Sequence, residues 1–452
     1  MADVRTRKRE AQEEAEFGEA FRAAAALARD ETKNEEAIAA FLAIVDDESQ
    51  EVRARESAVY RIVQIVVLRE RDMARVCALM ERLERFLAGI AKARTAKIVR
   101  KTLDAARELC LTAADNTVVS EGGEAALAQL RGLVEHWLAW AKRQERRFLQ
   151  RFLEARLAQL QLAQGQFRPC LRLSQRLARE VKKMDDKLLL VEVLLTESRA
   201  HQRLLNLPVA KATLTAARAT SHSVHCPPEL QCQIDLHAGI LCAEQRDYKT
   251  AFSYFFEAFE VLDNEGRKAD ALLALKYMLL TKMLAADKAL DEVDALLGGK
   301  HALHYRGPDL EAMRAIAEAY KQRNLRLFKE ALTQHGEYLH GVAVLDRHLG
   351  RLHDTLLEQN LQRVLLPYKR VQIAHVADVL LDGIMPRERV EAKLREMILD
   401  DKLSGILDQG AGDLLLFDEH DKDALYENSI TAVDNLGKVV EKLYEKAKLI
   451  TT

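Results

Sequence analysis

Apolar residues recur at intervals of three and four along most of the chain, which is the period of a helix with one buried face. Four such patterns follow one another between about residues 16 and 112. One face of the third pattern carries Val59, Ile62, Val63 and Val66. Only 7 of the 452 residues are proline, so little interrupts these patterns, and they predict a series of amphipathic helices. Asn, Ser and paired Gly between residues 113 and 125 predict a loop, and the mixed charges of residues 1–15 predict a frayed N-terminus.

Between about residues 125 and 340 the chain repeats a helix, a short turn and a small residue that opens the next helix. The small residues are Cys170, Ala210 and Ala251, at spacings of 40 and 41 residues. A later segment with Leu325 and Phe328 fits the same frame. A period near 40 with paired helices is typical of an all-α solenoid of tetratricopeptide-like repeats. Helical composition without a true repeat is the alternative interpretation.

The organisation changes after Leu366, where the pattern predicts short strands among helices. A short extended stretch, a helix that begins near Ile373, a turn and a second helix at residues 387–399 come first. Two apolar runs, "KLSGIL" and "DLLLF", then flank "DQGAG", in which Gly410 and Gly412 suit the positive φ of a tight turn. This order of elements predicts a winged-helix module closed by a small β-hairpin.

The charged residues in and around the predicted hairpin help to decide between two functions, nucleic-acid binding and protein binding. A nucleic-acid reader needs a basic surface, but the helix at 387–399 mixes Arg and Lys with Glu, and the hairpin adds several Asp. The edge of a small sheet can instead pair with a strand of another protein. We therefore favour protein binding over nucleic-acid binding. The hairpin residues that we predict to contact a partner are Leu403, Ile406, Leu407, Leu414 and Leu416.

The last helical pattern, residues 424–450, carries a broad apolar stripe. Its members recur at steps of three and four, which predicts that the stripe is covered by a partner helix or by the chain's own winged helix. Gly437 weakens this helix by roughly 1 kcal/mol relative to Ala. The partner-binding residues that we predict on the stripe are Ile430, Val433, Val440, Leu443 and Tyr444.

Charge and composition exclude several classes of function. A formal net charge of −2 gives no electrostatic footprint for nucleic acid or an anionic membrane. The six cysteines form no Cys-x-x-Cys pair, which is typical of reduced thiols. No apolar run approaches the roughly 20 residues that span a bilayer, and no secretory signal is visible. These features predict a soluble protein of the cytoplasm and nucleus.

The motifs of common catalytic sites are missing. The chain contains no His-x-His, no His-Glu-x-x-His and no Gly-x-Ser-x-Gly. His222 and His225 are three residues apart, but two prolines follow, and a solvated helix end explains them better than a metal site. We predict no catalytic residues, no metal and no cofactor.

Specific stretches resemble a known family, the PCI-domain subunits of the 26S proteasome lid, and in particular the family of proteasome non-ATPase regulatory subunit eleven. The resemblance covers roughly residues 90 to 450. The stretches that carry it most clearly are "EVKKMDDKLLLVEVLLTES" (Glu180 to Ser198), "DYKTAFSYFFEAFE" (Asp247 to Glu260), "RVQIAHVADVL" (Arg370 to Leu380) and "VEAKLREMILDDKLSGILDQGAGDLLLFDE" (Val390 to Glu419).

This resemblance implies a non-catalytic scaffold, with a solenoid at residues 16–340, a winged-helix PCI module at 341–420 and a bundling helix at 421–452. It implies a hetero-oligomer with other lid PCI subunits, the lid deubiquitinase, an ATPase subunit and an α-ring subunit, and no nucleic acid or membrane. The paralogous scaffold subunit of the signalosome, which supports cullin deneddylation, is the alternative.

Overall fold

A computed structural model describes most of the chain. The described residues are 19–29, 33–47, 52–70, 73–110, 123–285, 307–336, 343–377, 387–408, 412–417 and 424–451, with isolated positions between 293 and 305 and Gly410. Contacts divide the chain into two units, Met1–Ala317 with Glu337–His348, and Glu318–Gly336 with Leu349–Thr452. The architecture is a series of stacked helices followed by a helical module with a small three-stranded sheet, which agrees with the predicted fold class.

The first unit begins with short amphipathic helices, because apolar residues recur there with helical spacing. Val59, Ile62 and Val63 are buried as predicted. The rings of Phe21 and Phe41 pack edge to face, with their centroids 5.6 Å apart. A π-helical turn, Ile65–Glu70, extends the third helix. The helices are α1 Glu19–Arg29, α2 Asn34–Asp46, α3 Val52–Gln64, α4 Met73–Arg82, α5 Glu84–Gly89 and α6 Lys92–Cys110.

Longer helices follow, and most of them pack on their neighbours in sequence, while several alternate helices also contact each other. Thus α8 contacts both α9 and α10, and α10 contacts α12, so that alternate helices form successive layers. A cluster of buried apolar residues runs without a break from Phe21 to Val193. These helices are α7 Gly123–Arg143, α8 Arg147–Ala163, α9 Phe167–Met184, α10 Lys187–Arg203, α11 Leu207–His222, α12 Pro228–Glu244, α13 Tyr248–Glu265, α14 Lys268–Ala285 and α15 Pro308–Lys321.

Most turns between these helices contain one residue with left-handed backbone, about every twenty residues. In the turn at Leu205, its N–H donates to Gln202 O and the N–H of Asn206 donates to His201 O, both at 2.9 Å. This pair of bonds is the Schellman motif, which satisfies the last carbonyls of a helix. The left-handed residues, with φ from 51° to 75°, are Glu145, Gly165, Asp185, Leu205, Arg246, Gly266 and Arg323.

Small residues occupy the points where paired helices approach most closely. Cys170, Ala210 and Ala251, which the repeat singled out, are all completely buried. Gly239 marks a closer approach, because a Cβ built on it would lie 2.7 Å from a ring carbon of Phe255. The Phe255 ring is itself stacked on Tyr277, with centroids 5.1 Å apart, so it has little room to move.

A buried ionic link joins three helices of the first unit. The Arg156 guanidinium on α8 donates to Asp104 on α6 at 2.8 Å and to Glu192 on α10 at 2.7 Å. Its side chain is 8% exposed and lies over the Phe152 ring. Burial alone would lower the pKa of Arg156, but the two carboxylates outweigh burial and raise it, so the charge is retained.

The second unit carries the predicted wing. Its elements are α16 Leu325–Gln334, the part of α17 Ala343–Leu365 from Leu349 onward, β1 Arg370–Gln372, α18 Ile373–His375, α19 Arg387–Leu399, β2 Gly405–Asp408, β3 Asp413–Leu416 and α20 Ala424–Thr451. Both predicted hairpin strands are confirmed, and the extended stretch before Ile373 forms a third strand. Val390, Leu394 and Met397 on α19 are buried, whereas Ile398 is only half-buried.

Some predictions concern segments that lie partly or wholly outside the described residues. The predicted loop at 113–125 extends too far, because α7 already begins at Gly123, and residues 111–122 lie outside the described residues. The frayed N-terminus, most of the helix after His375 and the turn before α19 also lie outside them. The predicted domain boundaries at residues 340 and 420 stay predictions.

The same substitution at two glycines is expected to change stability in opposite directions. Gly239→Ala should destabilise the chain by about 1–3 kcal/mol, because its methyl overlaps the Phe255 ring. Gly132→Ala on α7, where a Cβ meets nothing within 4 Å, should stabilise it by up to about 1 kcal/mol, because Gly is a poor helix former. Denaturant midpoints of the two variants check this. Shifts in the same direction would contradict the close approach at Gly239.

Candidate protein-interaction surfaces

The three strands form one small antiparallel sheet, which we call the wing sheet. Their order is β1-β3-β2, so β3 is central and β1 and β2 are the edges. Ile406 lies opposite Leu415, which in turn lies opposite Arg370 on β1. Gly412 turns the hairpin with φ +71°, and the N–H of Gly410 donates to Asp408 Oδ1 at 2.9 Å.

The hydrogen bonds of the ladder fix which backbone groups of β2 remain unpaired. Phe417 N donates to Ser404 O at 2.9 Å, so 404 and 417 are a hydrogen-bonded pair. Because bonded and non-bonded pairs alternate in an antiparallel ladder, the N–H of Ile406 points into the sheet. The N–H groups of Gly405 and Leu407 therefore point away from β3, at the free edge of β2.

The two faces of the wing sheet differ in exposure. Leu414 is completely buried, and Val371 opposite it is also buried. Ile406 on the other face is 54% exposed, and Leu415 and Phe417 are exposed there too. Among the predicted hairpin residues, the structure thus places Ile406 at the surface and Leu414 in the core. Leu403, Leu407 and Leu416 are half-buried.

Sequence reasoning missed Leu415 and Phe417, although the sequence contains the signal. Side chains alternate between the faces of a strand, so positions 415 and 417 must share a face that 414 and 416 do not. Selecting apolar residues by type alone picked Leu414, which is buried, and Leu416, which is half-buried. Three further apolar side chains are exposed on the segments before β1 and before β2, namely Leu366, Tyr368 and Leu399.

A carboxylate with two lysines holds β2 and α19 to α17. Glu358 accepts from Lys393 at 2.9 Å and from Lys402 at 2.8 Å, and Gln362 Nε2 donates to Lys402 O at 3.3 Å. Partial burial alone would raise the pKa of Glu358, but the hydrogen bonds from Lys402 and Lys393 outweigh it and lower that pKa below its ordinary value of 4.5. The position of the wing therefore depends on an ionised Glu358.

The apolar face of α20 is uncovered in this chain. Every side chain described between residues 428 and 444 is exposed. The apolar ones are 48% to 71% exposed and cover about half the circumference of the helix, as helical spacing predicts. We call them the C-terminal stripe, which consists of Ile430, Val433, Leu436, Val439, Val440, Leu443 and Tyr444.

The described residues offer no arrangement suited to metal or nucleophilic chemistry. No group of three or more His, Cys, Asp or Glu could hold a metal within that part of the chain. Ser198 Oγ lies 2.9 Å from His237 Nε2, but the hydroxyl donates to Ala210 O at 2.7 Å, so the ring N–H donates to serine. Burial lowers the pKa of His237 to about 3, so the pair is a neutral, buried hydrogen bond.

None of the described helices combines the length and the apolar character that a bilayer-spanning helix needs.

Comparisons with known proteins agree with this geometry. The family model described as the 26S proteasome regulatory subunit RPN6 N-terminal domain matches residues 18–164, and the PCI domain matches residues 322–417. The 26S proteasome non-ATPase regulatory subunit 11 homolog of Arabidopsis thaliana is 40% identical over 93% of this chain and 96% of its own length. The chain belongs to the subunit 11 (RPN6) family.

Other members of the subunit 11 family match over similar lengths. The probable regulatory subunit rpn6 of Schizosaccharomyces pombe is 39% identical over 83% of this chain and 84% of its own length. The RPN6 subunit of Saccharomyces cerevisiae is 37% identical over 81% of each chain. These relatives carry the name of the proteasome, which does not favour the signalosome alternative.

The matched ranges also extend the resemblance found in the sequence. The match to the RPN6 N-terminal domain begins at residue 18, so the family likeness includes the first helices, whereas the resemblance in the sequence covered only roughly residues 90 to 450. The PCI match ends at Phe417, so β3 is its last element and the C-terminal stripe lies beyond it.

Replacing Glu358 with Gln should loosen the wing of this RPN6-family chain in a pH-dependent way. The pKa of Glu358 is lowered in the folded chain, so its stabilising effect is present above pH 4.5 and is lost as the pH falls further. Glu358→Gln should therefore destabilise the second unit by about 1–2 kcal/mol near neutral pH and by much less below about pH 4.

Melting temperatures of the wild type and Glu358→Gln across this pH range measure the effect. Glu388→Gln, an exposed position in the first turn of α19, is the control and should cost no more than about 0.5 kcal/mol. A wild-type advantage that stays constant down to acid pH would contradict the role of the Glu358 carboxylate.

Proposed function

We propose that this chain is a non-catalytic scaffold subunit of the 26S proteasome lid, where it links the lid, the ATPase base and the core particle. The observation that carries the proposal is the uncovered C-terminal stripe, which follows a PCI module in a member of the subunit 11 family. An exposed apolar surface of this length marks a protein-interaction site, because burying it against a partner removes apolar surface from water.

The free edge of β2 supports a second mode of contact. The N–H groups of Gly405 and Leu407 point away from β3 and can pair with a strand of another PCI subunit. Leu415 and Phe417, exposed on the adjoining face, would add apolar contact. The partners that we propose are other lid PCI subunits, the lid deubiquitinase, an ATPase subunit and an α-ring subunit, in a hetero-oligomer of the cytoplasm and nucleus.

A non-catalytic role is also supported. The relatives are named as regulatory subunits. In the buried serine–histidine pair described above, the serine is held by a backbone carbonyl, and no described acid contacts the histidine. The function that we propose would therefore rest on binding surfaces and not on a reacting group.

Charges introduced into the C-terminal stripe should prevent assembly. In Val433→Asp/Val440→Asp, two carboxylates would be buried at the partner interface, and recovery of the chain in complete lids should fall at least about tenfold. Affinity purification of the tagged chain from its own cells, followed by mass spectrometry, measures this. Asn435→Asp/Lys442→Asp has the same spacing on the polar face and should assemble normally. Equal recovery of both variants would contradict the assembly role of the stripe.

Proline substitutions at two adjacent positions of β2 should distinguish an effect on folding from an effect on edge pairing with a neighbour. Leu407→Pro removes a donor that points to the free edge, so the hairpin ladder should survive while lid incorporation falls. Ile406→Pro removes a donor inside the ladder and should lower the melting temperature of the second unit as well. If Leu407→Pro keeps its fold and still enters lids like the wild type, β2 does not pair with a neighbour.

A further inference from the structure

A groove in the first unit has no role in the scaffold function described above. It has a volume of about 920 Å³ and lies between one face of α6 and the start of α8. The α6 wall is built from positions one helical turn apart, which include Lys92, Ala96 and Arg100. The turn before α8 and its first residues, Glu145–Leu149, form the other wall. We call this surface the basic groove.

Positive charge dominates the basic groove. Its acidic residues are largely occupied within the chain, because Asp104 is bound by Arg156 and Asp186 accepts from the backbone N–H of Leu189. Only Glu145 remains as an exposed carboxylate. Six cationic side chains line the same space, namely Lys92, Lys97, Arg100, Lys101, Arg146 and Arg147.

Arg146 is a buried cation with no carboxylate partner in the part of the chain that the structure describes. The residue is 8% exposed, and its Nε and Nη1 atoms have no hydrogen-bond partner. Its remaining contacts are weak for a buried charge, a 3.5 Å hydrogen bond to Leu87 O and stacking over the Trp140 ring at 4.6 Å. Burial lowers the pKa of Arg146, since no anion offsets the loss of water. An anion in the basic groove would relieve this cost.

The N-terminus of α8 opens at the same place and also favours an anion. Arg146 is the N-cap residue, and its side chain makes no capping hydrogen bond. The first backbone N–H groups of α8 have no partner within the helix, and the helix dipole adds partial positive charge there. Arg146 and the first residues of α8 thus both belong to the lining of the basic groove, where both favour an anion.

The dimensions and lining fit a short peptide better than a small ion. From Lys92 to Asp104 the α6 wall is about 18 Å long, which matches five or six residues of an extended chain. Phe148 lines the basic groove and is 61% exposed, so it offers an apolar contact among the cations. A free phosphate would use neither the length nor the aromatic ring.

We propose that the basic groove binds an acidic peptide segment of a partner protein, with carboxylates facing the cations of α6 and the α8 N-terminus and one apolar side chain against Phe148. This site lies in the first unit and is independent of the wing sheet and the C-terminal stripe. Its test uses the isolated full chain, so its outcome does not depend on the proposed role in the lid.

The probe is a fluorescein-labelled peptide of about eight residues, rich in Asp and Glu with one central Leu, titrated with the full chain in a fluorescence anisotropy assay. Saturable binding that weakens with salt is expected. Lys92→Glu/Lys97→Glu should weaken it at least about tenfold, because neither lysine has an ion-pair partner among the described residues. Arg168→Glu/Arg172→Glu, which changes the same charge at exposed positions on α9, should leave it unchanged.

Further variants and competitors separate the peptide from other occupants. Phe148→Ala should weaken the Leu peptide several-fold and a Leu→Ser version of the peptide hardly at all. Absence of saturable binding, or equal weakening by both double variants, would overturn the proposal. Tighter binding of inositol polyphosphate or of a single-stranded oligonucleotide of equal charge would overturn the peptide as occupant.

Discussion

The first unit depends on one constraint, that no helix can bury its apolar face except against its neighbours. The buried cluster from Phe21 to Val193 is continuous because α8 packs on α10 as well as on α9, and this layering repeats along the stack. Close approach then limits side-chain size, which explains the complete burial of Cys170, Ala210 and Ala251 and the missing Cβ at Gly239. The stack in turn places α6 beside the N-terminus of α8 and so creates the basic groove.

The second unit differs from the first, because many of its described apolar side chains are exposed to solvent. Leu414 and Val371 are buried under the wing sheet, while Ile406, Leu415 and the C-terminal stripe face water. A chain that folds alone normally avoids so long an exposed apolar surface. The RPN6-family chain therefore combines one unit with a continuous buried core and one that leaves long apolar surfaces exposed, which the proposed lid assembly would cover.

Much of this fold could be predicted from hydrophobic periodicity, and the exceptions have physical reasons. The helices, the repeat and the hairpin follow from local spacing, which sequence shows directly. The left-handed backbone of Glu145, Leu205 and Arg246 could not be predicted, because this conformation usually requires Gly or Asn. Here the Schellman bonds impose it on other residues at a cost of roughly 1–2 kcal/mol each. The basic groove was missed because lysines and arginines at helical spacing are typical of a solvated face. Only the fold places Arg146 beside them.

The buried ion pairs of Arg156 affect the register in which the helical repeats stack on one another. Successive hairpins resemble one another in length and apolar pattern, so hydrophobic burial alone distinguishes poorly between the native stacking and one displaced by a whole repeat. Arg156 can neutralise its charge only where Asp104 and Glu192 both reach it. A displaced stack would leave an unpaired guanidinium in a dry interior, which is strongly unfavourable. The ion pairs of Arg156 thus favour the native register of the stacked helices over a register displaced by one repeat.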